Sequence, residues 1–404
     1  MNSGAIVAEF SAAGQTPPGA AAVPPPIPAF KPAAAVLLLI AAILGACGAA
    51  PAQSPPPAQA GPELDPEILR ESASVNAWQR LSFPSMSTPY ELILPASATA
   101  ESAATAAIQS ALAAIAEVER QANEWRADSP LAQLNRAAGG EFLQIPQDLW
   151  ALLQLSRSLA AQTQGAFDPT WAALWGLWDF RPDAAPRLPR PAEIQERLSK
   201  ISWRDLQLRE SDYSARLAKP GMVLGLGAIA KGWALDRAAA ELRKAGIANF
   251  LLSAGGQVLA AGTQDGKAWT VGLRHPRLGP EAVWAHFPLQ DGESLSTSGD
   301  YERFWVLDGV RYHHILDPRT GYPAGHGQKH WPYAVAVLAR GAALADALST
   351  AALVLGPQAE ATIGPHCLGI FAYGPAGPRL WGPRAGALRN TTPPYVKSAQ
   401  EQAN

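Results

Sequence analysis

Apolar residues follow two different periods along this 404-residue chain. Residues 98–125 and 146–163 show the 3.6-residue period of amphipathic helices, and Ser97 is a suitable N-cap for the first. Further along, short runs of β-branched and aromatic residues bounded by Gly and Pro predict strands. Long helices grouped early and mainly antiparallel strands later predict an α+β fold, a mainly antiparallel sheet with flanking helices in one compact domain. Shorter helices are expected at 191–198, 230–245 and 342–355, and strands at 78–83, 90–94, 222–226, 249–253, 258–261, 269–274, 283–289, 304–307, 311–315, 333–338, 368–373 and 379–381.

The predicted helix 342–355 is almost wholly apolar, so it should be buried. Asp346 and Thr350 within it are four residues apart and share one face of the helix. A buried carboxylate needs a partner. That partner is either a Lys or Arg side chain or a hard cation such as Mg²⁺, for which a carboxylate, a hydroxyl and a backbone carbonyl are suitable ligands.

A glycine-containing turn at residues 225–228 leads from a predicted strand into the helix that carries Lys231 in its first turn. Amide groups at a helix N-terminus favour phosphate, and a nearby ammonium group strengthens that preference. The alternative is a tight packing turn with Lys231 pointing to solvent. The spacing matches neither a Walker loop nor a dinucleotide fingerprint.

A hairpin is expected at residues 304–315, because Asp308-Gly309 favours the positive φ of a two-residue turn. Its second strand carries His313 and His314 towards a loop stiffened by proline. Ionisable groups at the mouth of a rigid hairpin are suited to a small-molecule site. The alternative is that the imidazoles are hydrogen-bonded structural residues.

The amino-terminal region has the composition of a targeting segment. The apolar run 33–44 is too short to span a bilayer but suits a signal peptide, and the residues ending in Cys47 resemble a bacterial lipobox. From this resemblance we expect a lipid-anchored protein on a periplasm-facing membrane. The alternative is an ordinary signal peptide. The expected divisions are a leader over 1–46, a lipidated Cys47 with a Pro/Ala-rich linker over 47–76, a folded domain over 77–387 and a tail over 388–404.

The charge of the chain gives no sign of a nucleic-acid partner. The formal net charge is −2 and no run of Lys or Arg stands out, so we expect no nucleic-acid partner.

Five blocks of the sequence together resemble the ApbE-type FAD:protein FMN transferases. They are Met86-Ser87-Thr88; Glu124-Trp125-Arg126 with Asp128-Ser129 and Leu134-Asn135; residues 165–170; residues 226–236; and residues 297–323 followed by 345–350. The resemblance runs from about residue 83 to residue 356.

This resemblance implies a reaction and a set of site residues. A Ser or Thr hydroxyl of an acceptor protein attacks the FMN phosphorus of FAD, and AMP leaves. His314 is implied as the base, which an imidazole with a pKa of about 6.5 can be at neutral pH. Mg²⁺ is implied at Asp346, Thr350 and the carbonyl of Ala228. Contacts to FAD are implied for Met86, Trp125, Ala166, Phe167, Asp168, Gly225, Lys231 and the backbone of Leu316.

In such families the acceptors include subunits of sodium-pumping quinone reductases and Rnf-type complexes. Two positions depart from the family pattern: Gly225, where many relatives have Asp, and Gln257, where many have an acidic residue. The loss of the first carboxylate is expected to weaken the hold on one hydroxyl or amine of FAD, and the alternative is that backbone or water replaces it. Two alternatives stand beside the transferase. If water replaces the acceptor, the protein is an FAD pyrophosphatase that releases FMN and AMP, and Gly225 leaves open a flavin-binding lipoprotein without turnover. The role of Asp317 is also open, since it can orient the imidazole or shape the loop.

Overall fold

A nine-stranded antiparallel sheet is the central element of the computed structural model, which describes residues 73–75, 78–99, 102–181 and 184–396. Its strands, in spatial order, are β1 (Ala73–Val75), β2 (Trp78–Ser85), β3 (Thr88–Pro95), β7 (Phe250–Ala254), β8 (Gln257–Ala261), β11 (Glu293–Gly299), β14 (Ala334–Arg340), β15 (Gly369–Gly374) and β16 (Gly377–Trp381). The described residues belong to one compact unit. The predicted fold class, α+β with a mainly antiparallel sheet and flanking helices, is therefore confirmed.

The remaining strands of the described residues form three smaller sheets. They are β9 (Trp269–Arg274), β10 (Ala282–Leu289) and β17 (Arg389–Val396); β4 (Leu143–Gln144), β5 (Leu206–Arg209) and β6 (Ser214–Leu217); and the hairpin β12 (Phe304–Leu307) with β13 (Val310–His313). Strand β17 lies in the segment that was expected to form a tail, and β1 lies in the expected linker. Both segments therefore contribute strands, although neither has a clear period in the sequence.

Seven helices accompany the sheets in the described part of the chain. They are α1 (Ser102–Ala122), α2 (Pro130–Arg136), α3 (Gln147–Gln162), α4 (Pro191–Leu198), α5 (Ala230–Lys244), α6 (Ala342–Leu355) and α7 (Ala359–Ile363). Three of them, α1, α5 and α6, pack against strands of the large sheet. Helix α1 packs against α5, α5 against α6, and α6 against β11 and β14. The three-stranded sheet of β9, β10 and β17 supplies a second apolar cluster with residues of the large sheet. Strands β7 and β8 are buried along their whole length because both faces of the sheet are covered there.

The first predicted helix differs from the structure at both ends. Helix α1 ends at Ala122 rather than at residue 125, because the Asn123 side chain accepts hydrogen bonds from the backbone N–H groups of Trp125 and Arg126. Ser97 lies in a separate 3₁₀ turn, Ala96–Thr99, and so is not the N-cap of α1. Helix α2 was not predicted, although Ser129 followed by Pro130 is a typical helix start, and the Ser129 hydroxyl caps it.

The predicted strand over residues 222–226 is wrong. Only Val223 forms an isolated bridge, with Trp171. The Asn135 side chain accepts the N–H of Leu224 at 2.8 Å and donates to its carbonyl at 2.9 Å, and the N–H of Gly225 bonds to Pro169. Because these backbone groups already have partners, the segment forms no ladder with a neighbouring strand.

Some predictions concern parts of the chain outside the described residues. The signal peptide, Cys47 and most of the linker lie there. Within the described residues, no helix combines the length and apolar character that a membrane span requires.

Candidate active site

Asp346 is a buried carboxylate on α6, and its side chain is 7% exposed. Its Oδ2 accepts the backbone N–H of Gly232 at 3.2 Å and lies 3.5 Å from Nζ of Lys231. Of the two partners that the sequence allowed, a lysine is therefore present. Within the described residues, the hydrogen bond and the ion pair of Asp346 both involve Oδ2, so Oδ1 is available to bind a ligand.

The close packing of α5 on α6 brings Lys231 and Asp346 together. A Cβ at Gly232 would lie 2.3 Å from the carbonyl oxygen of Ala342, so only glycine permits this approach. Asp236, one turn later on α5, accepts the N–H groups of Ala342 and Ala343 at 2.7 and 2.9 Å. This carboxylate caps α6 and fixes the helix that carries Asp346.

The turn before α5 contributes backbone groups to the same place. Lys231 lies in the first turn of α5, as predicted, and its Nζ donates to the carbonyl of Gly227. The alternative in which Lys231 points to solvent is therefore wrong, since the side chain is only 22% exposed. Asn135 holds the beginning of this turn through Leu224, a role that its place in the second sequence block did not reveal.

Thr350 follows Asp346 by one helical turn, so both lie on one face of α6, as expected. Ser298 on β11 bonds to Thr350 through the two hydroxyl oxygens at 3.3 Å and to Ser349 at 2.9 Å. Together, Asp346, Lys231, Thr350 and the turn over residues 225–229 are called the polar end of the site.

His314 directly follows β13, and its backbone N–H bonds to Arg303. Nδ1 of its ring is buried and has no hydrogen-bond partner within the described residues. Burial lowers the pKa of His314 to about 3, and the charges of His313, Arg303 and Lys231 act in the same direction. The expectation that this imidazole has a pKa near 6.5 is therefore wrong, because the sequence did not show the burial of Nδ1 or the positive charges around the ring.

His313 and Asp317 have structural partners. Nε2 of His313 lies 3.0 Å from the carbonyl of Ala324, and burial lowers the pKa of His313. Asp317 forms a two-point ion pair with Arg319, at 2.8 Å for each oxygen. Both oxygens of Asp317 are engaged by Arg319, so this carboxylate shapes the loop after the hairpin. In the same loop, Leu316 forms an isolated β-bridge with Pro323.

The third sequence block forms a buried loop after α3. Ala166, Phe167 and Asp168 are all at least 95% buried. Asp168 accepts hydrogen bonds from the N–H and hydroxyl of Thr170 and from the N–H of Trp203. Burial raises the pKa of Asp168, and these hydrogen bonds oppose the rise. The carboxylate therefore holds its own loop together.

Trp125 lies beyond α1 and is 52% exposed. Its ring stacks on Trp175 with the centroids 4.3 Å apart, and Trp175 meets the edge of Trp171. These three side chains are called the aromatic end of the site. Met86 lies in the two-residue turn between β2 and β3 and has a φ of 48°. This backbone conformation is strained for a bulky residue, and such strain is common at ligand sites.

Glu124 is a site residue that sequence reasoning named only within a block. Burial raises its pKa to about 7, and the charge of Lys231 acts in the opposite direction. Lys231 also affects the pKa of His314, so its charge reaches both the loop of Trp125 and the hairpin. We therefore treat the polar end, the hairpin imidazole and the loop that carries Trp125 as one candidate site.

The donor set at the polar end fits a hard cation. Asp346 supplies an available carboxylate oxygen, and Thr350 supplies a hydroxyl one turn away. Among the described residues no cluster of three or more His, Cys, Asp or Glu side chains could bind a metal ion. The predicted magnesium site has one such side chain, so its other ligands would be neutral oxygens and substrate phosphates.

Comparison with known proteins gives a consistent result. A model of the ApbE family matches residues 86–367. The chain belongs to the ApbE family.

A FAD:protein FMN transferase of Rhodobacter capsulatus is 36% identical over 238 residues, which are 58% of this chain and 44% of that relative. A FAD:protein FMN transferase of Treponema pallidum is 35% identical over 265 residues, which are 62% of this chain and 72% of that relative. The chain thus spans under half the length of the first relative.

Solved ApbE structures share the fold. The ApbE protein of Thermotoga maritima has a TM-score of 0.66 at 28% identity, covering 78% of this chain and 97% of that one. The flavin transferase ApbE of Vibrio cholerae has a TM-score of 0.64 at 26% identity, covering 76% of this chain and 98% of that one. The family and the transferase class of its named relatives agree with the predictions from the sequence.

Proposed function

We propose that this protein is a FAD:protein FMN transferase that uses Mg²⁺ and forms a phosphoester with a Ser or Thr of an acceptor protein. The observation that carries the proposal is the position of Lys231. Its ammonium group lies 3.5 Å from Asp346, bonds to the turn before α5, and contributes to the electrostatic environment of His314. A cation, backbone amides and an imidazole in one site are the groups that phosphoryl transfer requires.

In the proposed reaction the acceptor hydroxyl oxygen attacks the FMN phosphorus of FAD. A new O–P bond forms, and the bond between that phosphorus and the bridging oxygen of the pyrophosphate breaks. AMP leaves with the bridging oxygen, and the hydroxyl proton moves to the imidazole of His314. Lys231 offsets the negative charge of the phosphates, and the relatives' names support FAD as the donor.

The imidazole of His314 is neutral at physiological pH because burial lowers its pKa to about 3. A neutral ring can accept a proton, and the buried Nδ1 offers a nitrogen without a partner among the described residues. A pKa this low makes the imidazole a weak base in the free protein. The negative charge of the bound phosphates would therefore have to stabilise the protonated ring during the reaction.

We assign the metal to the polar end. Asp346, Thr350 and the backbone carbonyl of Ala228 would hold Mg²⁺, which supplies charge neutralisation at the pyrophosphate when bound. Asp236 and Gly232 keep the donor helix in place through the contacts described above. Gly225 and the loop of residues 166–168 would contribute backbone to the contact with FAD, beside Met86, Trp125 and Leu316.

We further propose that the acceptors are redox proteins that present a Ser or Thr, with quinone reductase or Rnf-type subunits as the first candidates. The proposed location is the periplasm-facing membrane, with a lipid anchor at Cys47. Metabolic labelling with a radioactive fatty acid should mark the natural chain and not Cys47→Ala. Equal labelling of both chains would overturn the anchor.

The function is tested by incubating the purified protein with FAD, Mg²⁺ and a candidate acceptor. The natural chain should give a fluorescent acceptor with the added mass of FMN and an equal amount of AMP. Asp346→Asn should reduce the labelling rate at least 100-fold, since it removes the charged ligand. The control Asp308→Asn, in the exposed hairpin turn where Asn tolerates the φ of 51°, should keep normal activity.

The other candidate functions give different products in the same experiment. Comparable release of FMN and AMP without an acceptor would indicate an FAD pyrophosphatase. Intact FAD after long incubation with Mg²⁺ and several acceptors would indicate a flavin-binding protein without turnover. Normal labelling by Asp346→Asn would contradict the assigned metal site.

A further inference from the structure

Gly225 and the aromatic end are packed in direct contact. The Trp171 Nε1–H donates to the carbonyl of Gly225 at 3.0 Å. A Cβ at Gly225 would lie 2.9 Å from Cβ of Ala172, 3.2 Å from Nε1 of Trp171 and 3.3 Å from Cζ2 of Trp175. The φ of Gly225 is not positive, so space rather than backbone conformation requires glycine here. The Trp171 and Trp175 rings therefore occupy the volume that a side chain at this position would need.

Trp175 in turn supports Trp125. The two rings are nearly parallel, with an interplanar angle of 24° and centroids 4.3 Å apart. The backbone of Trp125 is held separately, because Asn123 accepts its N–H at 2.9 Å. Trp125 is nevertheless 52% exposed, and within the described residues its ring has no other aromatic or cationic contact. One face of the indole thus rests on Trp175, while the other is available.

The aromatic end adjoins the turn that carries the groups favouring phosphate. Gly225, against which Trp175 packs, is two residues from Gly227, whose carbonyl accepts the ammonium group of Lys231. Two residues span at most about 7 Å of backbone. A molecule with phosphates at the polar end and a flat ring on Trp125 would therefore satisfy both ends of the site.

We propose that Trp175 is a positioning residue that holds the Trp125 ring flat for stacking on the isoalloxazine ring of FAD. This inference rests on the proposed function for the identity of the ligand. Gly225 makes the arrangement possible by leaving room for Trp171 and Trp175. Stacking of a flat ring on an aromatic side chain is sensitive to orientation, so loss of the supporting ring should weaken binding even though Trp125 remains.

The test measures FAD binding to the full protein without an acceptor, by quenching of flavin fluorescence. Trp175→Ala should raise the dissociation constant for FAD about 5- to 10-fold and reduce the quenching at saturation. The turnover number at saturating FAD should change less than threefold, because the polar end is intact. Trp175→Phe keeps a flat support and should restore most of the affinity and quenching.

Three further variants separate positioning from general damage. Trp125→Ala combined with Trp175→Ala should bind FAD about as weakly as Trp125→Ala alone, because Trp175 acts through Trp125. Gly225→Ala should weaken binding in the same direction by displacing the stack. The control Trp381→Ala, a half-buried tryptophan on β16, should leave FAD binding unchanged.

Several results would overturn the inference. Trp175→Ala with unchanged affinity and quenching would do so, as would additive effects of the two tryptophan changes. The identity of the stacked group is checked with FMN and ADP as separate probes, with binding measured by calorimetry. FMN binding should respond to Trp175→Ala and ADP binding should not. If Trp175→Ala weakens FAD binding but the natural chain transfers no FMN, this inference stands and the proposed function fails. Absence of FAD binding to the natural chain would end both.

Discussion

The polar end and the aromatic end of the site are held in place by different forces. Asp346 is 7% exposed and is fixed by an N–H group and an ammonium group, whereas Trp125 is 52% exposed and rests on one other ring. Charges act strongly when they are buried and held in place. A flat ring requires only a parallel surface. We therefore expect changes near the polar end to reduce turnover and changes at the aromatic end to reduce affinity.

The largest effect is expected at the imidazole beside the polar end. His314→Gln should lower the turnover number about 100- to 10,000-fold, the usual contribution of general acid–base catalysis. FAD affinity should change little, since the effect is on proton transfer. His330→Gln, an exposed imidazole outside β13, is the control and should behave as the natural chain. A turnover number within threefold of the natural value in His314→Gln would remove this residue from the mechanism.

The pH dependence follows from the same ring. Because burial lowers the pKa of His314 to about 3, the neutral, proton-accepting form is already complete at pH 5. The second-order rate constant should therefore show no acid limb from His314 between pH 5 and 8. It should decline only as pH approaches 3. An acid limb centred near pH 6.5 that disappears in His314→Gln would contradict the burial of the ring.

A smaller effect is expected where the turn of the polar end is anchored. Asn135→Ala leaves the buried N–H and carbonyl of Leu224 without their side-chain partner, which should lower the free energy of unfolding by about 2 kcal/mol. Urea unfolding measures this change. Gln133→Ala, an exposed position on the same helix, should change it by less than about 0.5 kcal/mol. Equal effects of the two substitutions would show that the turn does not depend on Asn135.

The smallest effect is expected beside the aromatic end. Burial raises the pKa of Glu124 to about 7, so its carboxyl is neutral below this pH and negative above it. The negative form repels the phosphates of FAD, so affinity should fall about threefold to tenfold as pH rises from 6 to 8. Glu124→Gln should flatten this dependence, and the exposed control Glu141→Gln should not. An unchanged slope in Glu124→Gln would place the carboxyl away from the phosphates.

Most elements of the fold could be predicted from local pattern. The apolar helix with Asp346, the helix after the glycine turn and the hairpin with Asp308-Gly309 appear in the structure near their expected positions. The segment around Leu224 could not be predicted, because its apolar run resembles a strand. Its backbone partners come from Asn135, which is 89 residues away in the chain. Strand β17 was missed for a similar reason, since its pairing with β10 is what makes it a strand.

The candidate site shows the same division. The sequence alone placed Asp346 and Thr350 on one face of a buried helix and Lys231 in the first turn of another, because helical period and apolar composition are local properties. Only the tertiary structure decided that Lys231 is the partner of Asp346, that the pKa of His314 is low, and that Trp175 supports Trp125. Burial, charge and stacking depend on residues that the chain brings together from distant positions, and a local pattern does not contain that information.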